Sequence, residues 1–250
     1  MIKRTLTWFP LLCLGLQSMW SQAESIEFSV VDYPPYILVD DTTHSISGLD
    51  VEIVQAAFAD QGVDVSFKTV PWKRIIKSME LGLIPGTVSC TKRPNRTDYM
   101  LFSEPLSTES RAVVSKTTLD TTSIHEFDDL AAYSLVAVDG WGMQKRLVQQ
   151  RIPHQASPDL ESALNAVRYR NVDLLYMAEY PARYAIKNLG AEQQLKVTLM
   201  AGEETLPLHL CVSREYPNAE HIIQTVNAGL EKISANGTLD EIRRKYLTDN

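Results

Sequence analysis

The sequence is poor in cysteine and histidine and has no low-complexity tract. Three cysteines and five histidines stand among 250 residues. His44, His125, His154, His209 and His221 are scattered, and no two have metal-ligand spacing, so neither a metal centre nor a cofactor is expected. Positive charge is also scarce. Lys and Arg number 24 against 31 Asp and Glu, a formal net of -7, which argues against a general binder of nucleic acid or anionic membranes. Beyond the N-terminus, no stretch is long and apolar enough to span a bilayer. What remains is ordinary for a soluble globular protein, with 44% hydrophobic and 22% charged residues. The length suits one large domain or two small ones.

The N-terminus carries the first positive signal. Lys3 and Arg4 precede the apolar "TLTWFPLLCLGLQSMW", and Ser21-Gln22-Ala23 follows with small residues at both ends. This is the pattern of a secretory signal peptide over 1–23, cut after Ala23. A membrane anchor is the weaker alternative, because Pro10 and Gln17 interrupt an already short run. Cleavage removes Lys3 and Arg4 and no acid, which takes the net charge to -9. The mature chain keeps only Cys90 and Cys211. Export permits a disulfide, but two cysteines do not make a disulfide scaffold. Both fall in β-like apolar runs, so two separate buried thiols are the first reading and their pairing stays open.

Periodicity gives the organisation. Ile26, Phe28 and Val30 alternate as in a strand, which stops at "DYPPY", where Pro34 and Pro35 forbid helix. In "SGLDVEIVQAAFADQG", Val51, Val54 and Phe58 repeat at helical spacing and Gly62 ends the helix. "VDVSFKTV" reads as a strand, "WKRIIKSMELG" as an amphipathic helix and "GTVSC" as a third strand. This β-α-β-α-β order predicts a parallel sheet with right-handed crossovers. The order repeats in "YSLVAVDG", "GMQKRLVQQR", "SPDLESALNAVRYR" (capped at Ser157-Pro158 with Glu161), "VDLLYMA" and "EYPARYAIKNL". "STESRAVVSK" and "LPLHLCVSR" are candidate crossing strands between the two units. Two helices, 218–234 and 238–246, close the chain.

Ligands of open parallel sheets gather at the carboxyl ends of strands. Here those ends are Tyr33 to Tyr36, Pro71-Trp72, Ser89 to Arg96, Asp139 to Gly142 and Tyr176 to Glu179. They combine aromatic residues with one cationic segment, "TKRPNR", as befits a small-molecule site with one anion handle.

Several ordered motifs carry a resemblance: "DYPPY", "SGLDVEIVQAAFADQG", "VPWKRIIKSMELG", "TKRPNRTDYMLFSEPL" and "ANGTLDEIRRKYL". Together they are similar to the family 3 extracellular solute-binding proteins of polar-amino-acid ABC importers, over about Ser25 to Leu247. The resemblance implies an α/β fold of the periplasmic binding protein type II class: two lobes, a ligand cleft and two hinge strands. Lobe 1 is expected over 24–112 plus 207–250 and lobe 2 over 113–206, in a periplasmic monomer that serves an ABC permease.

By the same resemblance, Arg96 grips a ligand carboxylate, a task that suits a planar, always charged guanidinium. Tyr33 and Trp72 form aromatic walls. Ser89 and Thr91 give carbonyl and hydroxyl contacts. Gly140 opens the turn whose following amides face the carboxylate. Two positions depart from the pattern. Trp141 and Gly142 stand where Ser or Thr usually follows that glycine, and Ala178 stands where the family's ammonium-binding Asp falls, with Glu179 beside it. The expected ligand is therefore a carboxylate-bearing small molecule, and a plain α-amino acid is not the default. The alternatives are a ligand-sensing module acting in trans on a receptor and, more remotely, an enzyme like the cyclohexadienyl dehydratases, which would need a general acid in the cleft.

Overall fold

The computed structural model describes residues 25–40 and 42–247. The signal-peptide reading of 1–23 lies outside them. Strand β1 (Ser25–Val30) is followed by a short hairpin, β2 (Leu38–Val39) and β3 (Ile46–Ser47), then α1 (Leu49–Asp60), β4 (Asp64–Thr69), α2 (Trp72–Glu80) and β5 (Gly86–Thr91). Next come α3 (Pro94–Thr97), β6 (Met100–Phe102), β7 (Ser107–Glu109) and β8 (Arg111–Lys116). A 3-10 turn at Phe127–Ala132 leads to β9 (Leu135–Val138), α4 (Gly142–Gln149), β10 (Gln155–Ser157), α5 (Leu160–Tyr169), β11 (Leu174–Ala178), α6 (Glu179–Asn188) and β12 (Leu195–Leu199). The chain ends with β13 (Leu206–Ser213), α7 (Ala219–Ala235) and α8 (Thr238–Leu247).

Two lobes of the type II periplasmic binding protein fold result, each around its own core. The second lobe holds a five-stranded sheet in the order β10-β9-β11-β8-β12. Its β10, β9 and β11 are parallel, and β8 and β12 are antiparallel to their neighbours. Val136, Val138, Leu164, Val167, Leu175 and Met177 fill the space between this sheet and α5 and α6. Burying each such side chain contributes about 1.5–3 kcal/mol.

The first lobe departs from the uniform parallel sheet expected from its β-α-β-α-β order. β1 and β4 pair in parallel, but β5 takes antiparallel β13 as its ladder partner, and β13 also pairs β6 and β7. β5 is itself irregular. Its register with β13 breaks between His209 and Cys211, and Ser89 adopts a left-handed φ of 57° that no regular strand can carry.

α1 forms as its periodicity requires, with Val51, Ile53, Val54, Ala57 and Phe58 all buried and Gly62 (φ 73°) just past its end. It packs on α7 at very close range. A β-carbon at Gly229 would stand 1.9 Å from the Ala57 carbonyl oxygen, so only glycine lets the two helices meet. α5 begins two residues later than the expected Ser157 cap. Asp159 is the N-cap, its carboxylate accepting from the Ser162 amide at 2.6 Å, while Ser157 ends β10.

The chain changes sheet at Ser110 and again between Leu199 and Leu206. These two crossings touch each other, with the Ser110 and Thr205 hydroxyl oxygens 3.2 Å apart. Cys90 and Cys211 are joined as a disulfide between β5 and β13, with Cα atoms 6.3 Å apart, which corrects the reading of two separate thiols. Sequence spacing gave no sign of this, because the partners are 121 residues apart and meet only when β13 returns beside β5.

Candidate ligand cleft

The segment after β5 builds the cationic part of the candidate cleft. Pro94 opens α3, whose single turn carries Arg96. The Arg96 guanidinium folds back on β5, where Nη1 donates to the Thr91 carbonyl oxygen at 2.9 Å and lies 3.3 Å from Thr91 Oγ1. Its carbon sits 5.2 Å from the centre of the Trp72 ring, a cation–π contact with the first residue of α2. Arg96, Thr91 and Trp72, three of the sequence-predicted residues, thus form one cluster. Burial, and after it the nearby Arg93, lowers the Arg96 pKa to about 10, so it stays charged at neutral pH. No carboxylate pairs with it among the described residues.

Ser89 meets a different partner. Its hydroxyl donates to Asp50 Oδ2 at 2.7 Å, behind the strand, while its left-handed backbone takes its own peptide groups out of the ladder. Asp50 is fully buried at the start of α1, with Oδ1 unpartnered. Desolvation raises its pKa to about 6, against the opposing influence of Ser107, Ser89 and Arg243. Ser107 lies near enough to favour the ionised form, but its hydroxyl makes no regular hydrogen bond.

The second lobe meets the first at Tyr33. β9 ends at Val138, and Asp139 and Gly140 (φ 73°) turn the chain so that Trp141 is the N-cap of α4. The Tyr33 and Trp141 rings lie edge to face, with centroids 5.8 Å apart. The Tyr33 hydroxyl donates to Glu109 Oε2 at 2.6 Å. Burial pushes its pKa far up, so it remains a donor across the physiological range. Glu109 in turn pairs with Arg111, both groups being buried where the chain crosses between lobes. Arg111 Nη1 also reaches the Met143 sulfur of α4 at 4.0 Å.

Glu179 has a partner of its own, and its amide donates to the Ser110 carbonyl oxygen at 3.0 Å. It opens α6, directly beyond the β11 strand end at Ala178, and its carboxylate pairs with Arg183 at 3.0 Å. A groove of about 590 Å³ lies on that side, between α6 and the end of α8, and is lined by Pro35, Tyr184, Lys187 and Tyr246 among others. It contains none of the sequence-predicted site residues.

Sequence reasoning missed Asp50, Glu109 and Arg111. The signal for the last two was present. Glu109 and Arg111 are two apart in an extended run, which puts acid and base on one face of a strand. Asp50 gave only an acid among apolar residues at a helix start, which is common on exposed helices too.

Comparisons with known proteins agree with this architecture. The model of the bacterial extracellular solute-binding proteins, family 3, matches residues 28–249. The L-cystine-binding protein TcyA of Bacillus subtilis is 22% identical over 221 residues, covering 87% of this chain and 79% of that protein. A histidine kinase sensor domain described as similar to periplasmic binding proteins superposes with a TM-score of 0.74 at 19% identity, covering 90% of this chain and 96% of that one. A substrate-binding protein of an ABC uptake transporter from Streptococcus pneumoniae, with bound histidine, gives 0.73 at 17% identity, covering 90% and 93%.

Proposed function

Because this chain belongs to the bacterial extracellular solute-binding proteins of family 3, we propose that it captures an amino acid or related small carboxylate outside the cytoplasmic membrane and delivers it to an ABC importer. The observation that carries this reading is Arg96. A half-buried guanidinium, bonded to Thr91 and set against the Trp72 ring without a carboxylate partner among the described residues, is a costly arrangement unless an anion completes it. Capture works by lobe closure: the ligand touches residues of both lobes and so stabilises the closed arrangement by its differential affinity.

In this reading Tyr33, Trp72 and Trp141 are the walls of the cleft, Ser89, Thr91 and Arg96 its polar floor, and Gly140 the turn that presents α4. Glu179 is left out of the ligand contacts, since its carboxylate already pairs with Arg183. The dehydratase reading is disfavoured by the same pairing. A general acid must be free to exchange its proton, yet Glu109 is held by Arg111 and Tyr33, and Glu179 by Arg183.

The test is a thermal-shift screen of amino acids, amines and small carboxylates on the purified chain. A bound carboxylate should raise Tm by mass action, and Arg96→Ala should abolish that shift. A carboxylate ligand that stabilises Arg96→Ala as well as the wild type would overturn the role of Arg96.

A further inference from the structure

We propose that Arg93 is a second guanidinium of the ligand site and that the Arg93–Arg96 pair selects a ligand with two acidic groups and no ammonium. The proposal rests on the reading of the cleft as a carboxylate site and narrows it to a substrate class. In the sequence, Lys92 and Arg93 look alike, two cations at a rim. In the structure they part. Lys92 is exposed and lies over the Phe102 ring, whereas Arg93 is half-buried and turned inwards. Arg93 Nε donates to Thr91 Oγ1 at 3.1 Å, the same hydroxyl oxygen that Arg96 Nη1 approaches at 3.3 Å. The other end of Arg93 reaches across the cleft. A β-carbon at Gly142, the first residue of α4 in the second lobe, would stand 3.2 Å from Arg93 Nη2.

Two like charges gathered on one hydroxyl repel, and this repulsion contributes to the lowered pKa of Arg96. Neither guanidinium has a carboxylate partner among the described residues. A carboxylate on each would relieve the repulsion, because each planar fork matches one carboxylate. The carboxylates that could receive an ammonium are meanwhile occupied. Glu109 is paired with Arg111, Glu179 with Arg183, and Asp50 is sealed behind Ser89. Asp139 lies exposed just past β9. Among the described residues, the cleft therefore offers unpaired positive charge from two arginines and no free acid open to the ligand. A zwitterion would satisfy one arginine and leave its ammonium beside the other. A dicarboxylate of four or five carbons satisfies both.

Isothermal titration of the purified chain with glutarate, glutamine and butyrate tests this. Glutarate should bind at least about tenfold more tightly than glutamine, as expected when one extra charge-assisted hydrogen bond is made. Arg93→Gln should weaken glutarate by a similar factor and leave butyrate within about twofold, while Arg93→Lys, which keeps the charge but loses the fork, should fall between. Glutamine binding as tightly as glutarate in an Arg96-dependent manner would overturn the dianion proposal and leave the carboxylate site standing. Equal glutarate affinity in Arg93→Gln and wild type would return Arg93 to the rim. Absence of binding by all three, together with a flat thermal-shift screen, would sink the carboxylate-site reading and the proposal with it.

Discussion

The Tyr33 ring of the first lobe meets the Trp141 ring of the second almost perpendicularly, at 81° with centroids 5.8 Å apart. An edge-to-face pair of this kind contributes about 0.5–1.5 kcal/mol beyond its buried area. In the proposed reading this contact spans the ligand cleft, and its energy favours the closed arrangement. Trp141→Ala should therefore weaken ligand binding by roughly three- to tenfold with little loss of thermal stability in the unliganded chain. Calorimetric titration and a melting curve separate the two effects. A large drop in Tm without ligand would show that Trp141 is a packing residue of its own lobe instead.

The Cys90–Cys211 disulfide closes a loop of 121 residues within the first lobe, around the whole second lobe. Its loss should cost about 2–4 kcal/mol, chiefly by freeing the unfolded chain. β5 carries Thr91, on which both arginines rest, so the effect should reach the cleft as well. The paired substitution Cys90→Ser with Cys211→Ser should lower the denaturant midpoint, and dithiothreitol should lower that of the wild type alone. Mass spectrometry that finds two free thiols in protein purified from an oxidising compartment would contradict the pairing.

Much of the fold was legible because it follows from local periodicity. The apolar spacing of α1, the glycine after it and the "DYPPY" stop all report on neighbours a few residues away. The antiparallel pairing of β5 with β13 and the disulfide were not legible, since both depend on a return of the chain after more than a hundred residues. The candidate site divides in the same way. Arg96 and Trp72 stand out as a cation and an aromatic at strand ends. The difference between Arg93 and Lys92 is invisible in "TKRPNR", because which cation turns inwards depends on the geometry of α3 and on the approach of α4.

Asp50 should leave a mark on the pH dependence of stability. Its folded pKa is about 6 against an ordinary 3.8, so between these values the folded state holds a proton that the unfolded state has lost. Stability from this group is thus present at low pH and declines as pH rises from about 4 to 6. Such a shift corresponds to about 3 kcal/mol of burial cost at pH 7. Asp50→Asn keeps an acceptor for Ser89 and removes the charge. Its Tm relative to wild type should rise between pH 4 and pH 7. A difference independent of pH would mean that Asp50 titrates normally.

The Glu109–Arg111 pair offers the sharpest contrast between single and double substitution. Both groups are buried, and Glu109 also accepts the Tyr33 hydroxyl. Desolvating two charges offsets much of their attraction, so the pair adds little net stability, yet either charge left alone is severely unfavourable. Glu109→Gln strands the Arg111 guanidinium beside Tyr176 and Met143 and should destabilise the chain by about 3–5 kcal/mol. Adding Arg111→Met removes the stranded charge and should restore most of that loss in urea denaturation. Tyr33→Phe removes only the hydroxyl bond and should cost about 1–3 kcal/mol, since it leaves Glu109 one donor short. If the double variant were no more stable than Glu109→Gln, the stranded-charge account would fail. The interaction of these residues would then lie in how they hold the two crossing strands and not in their charge.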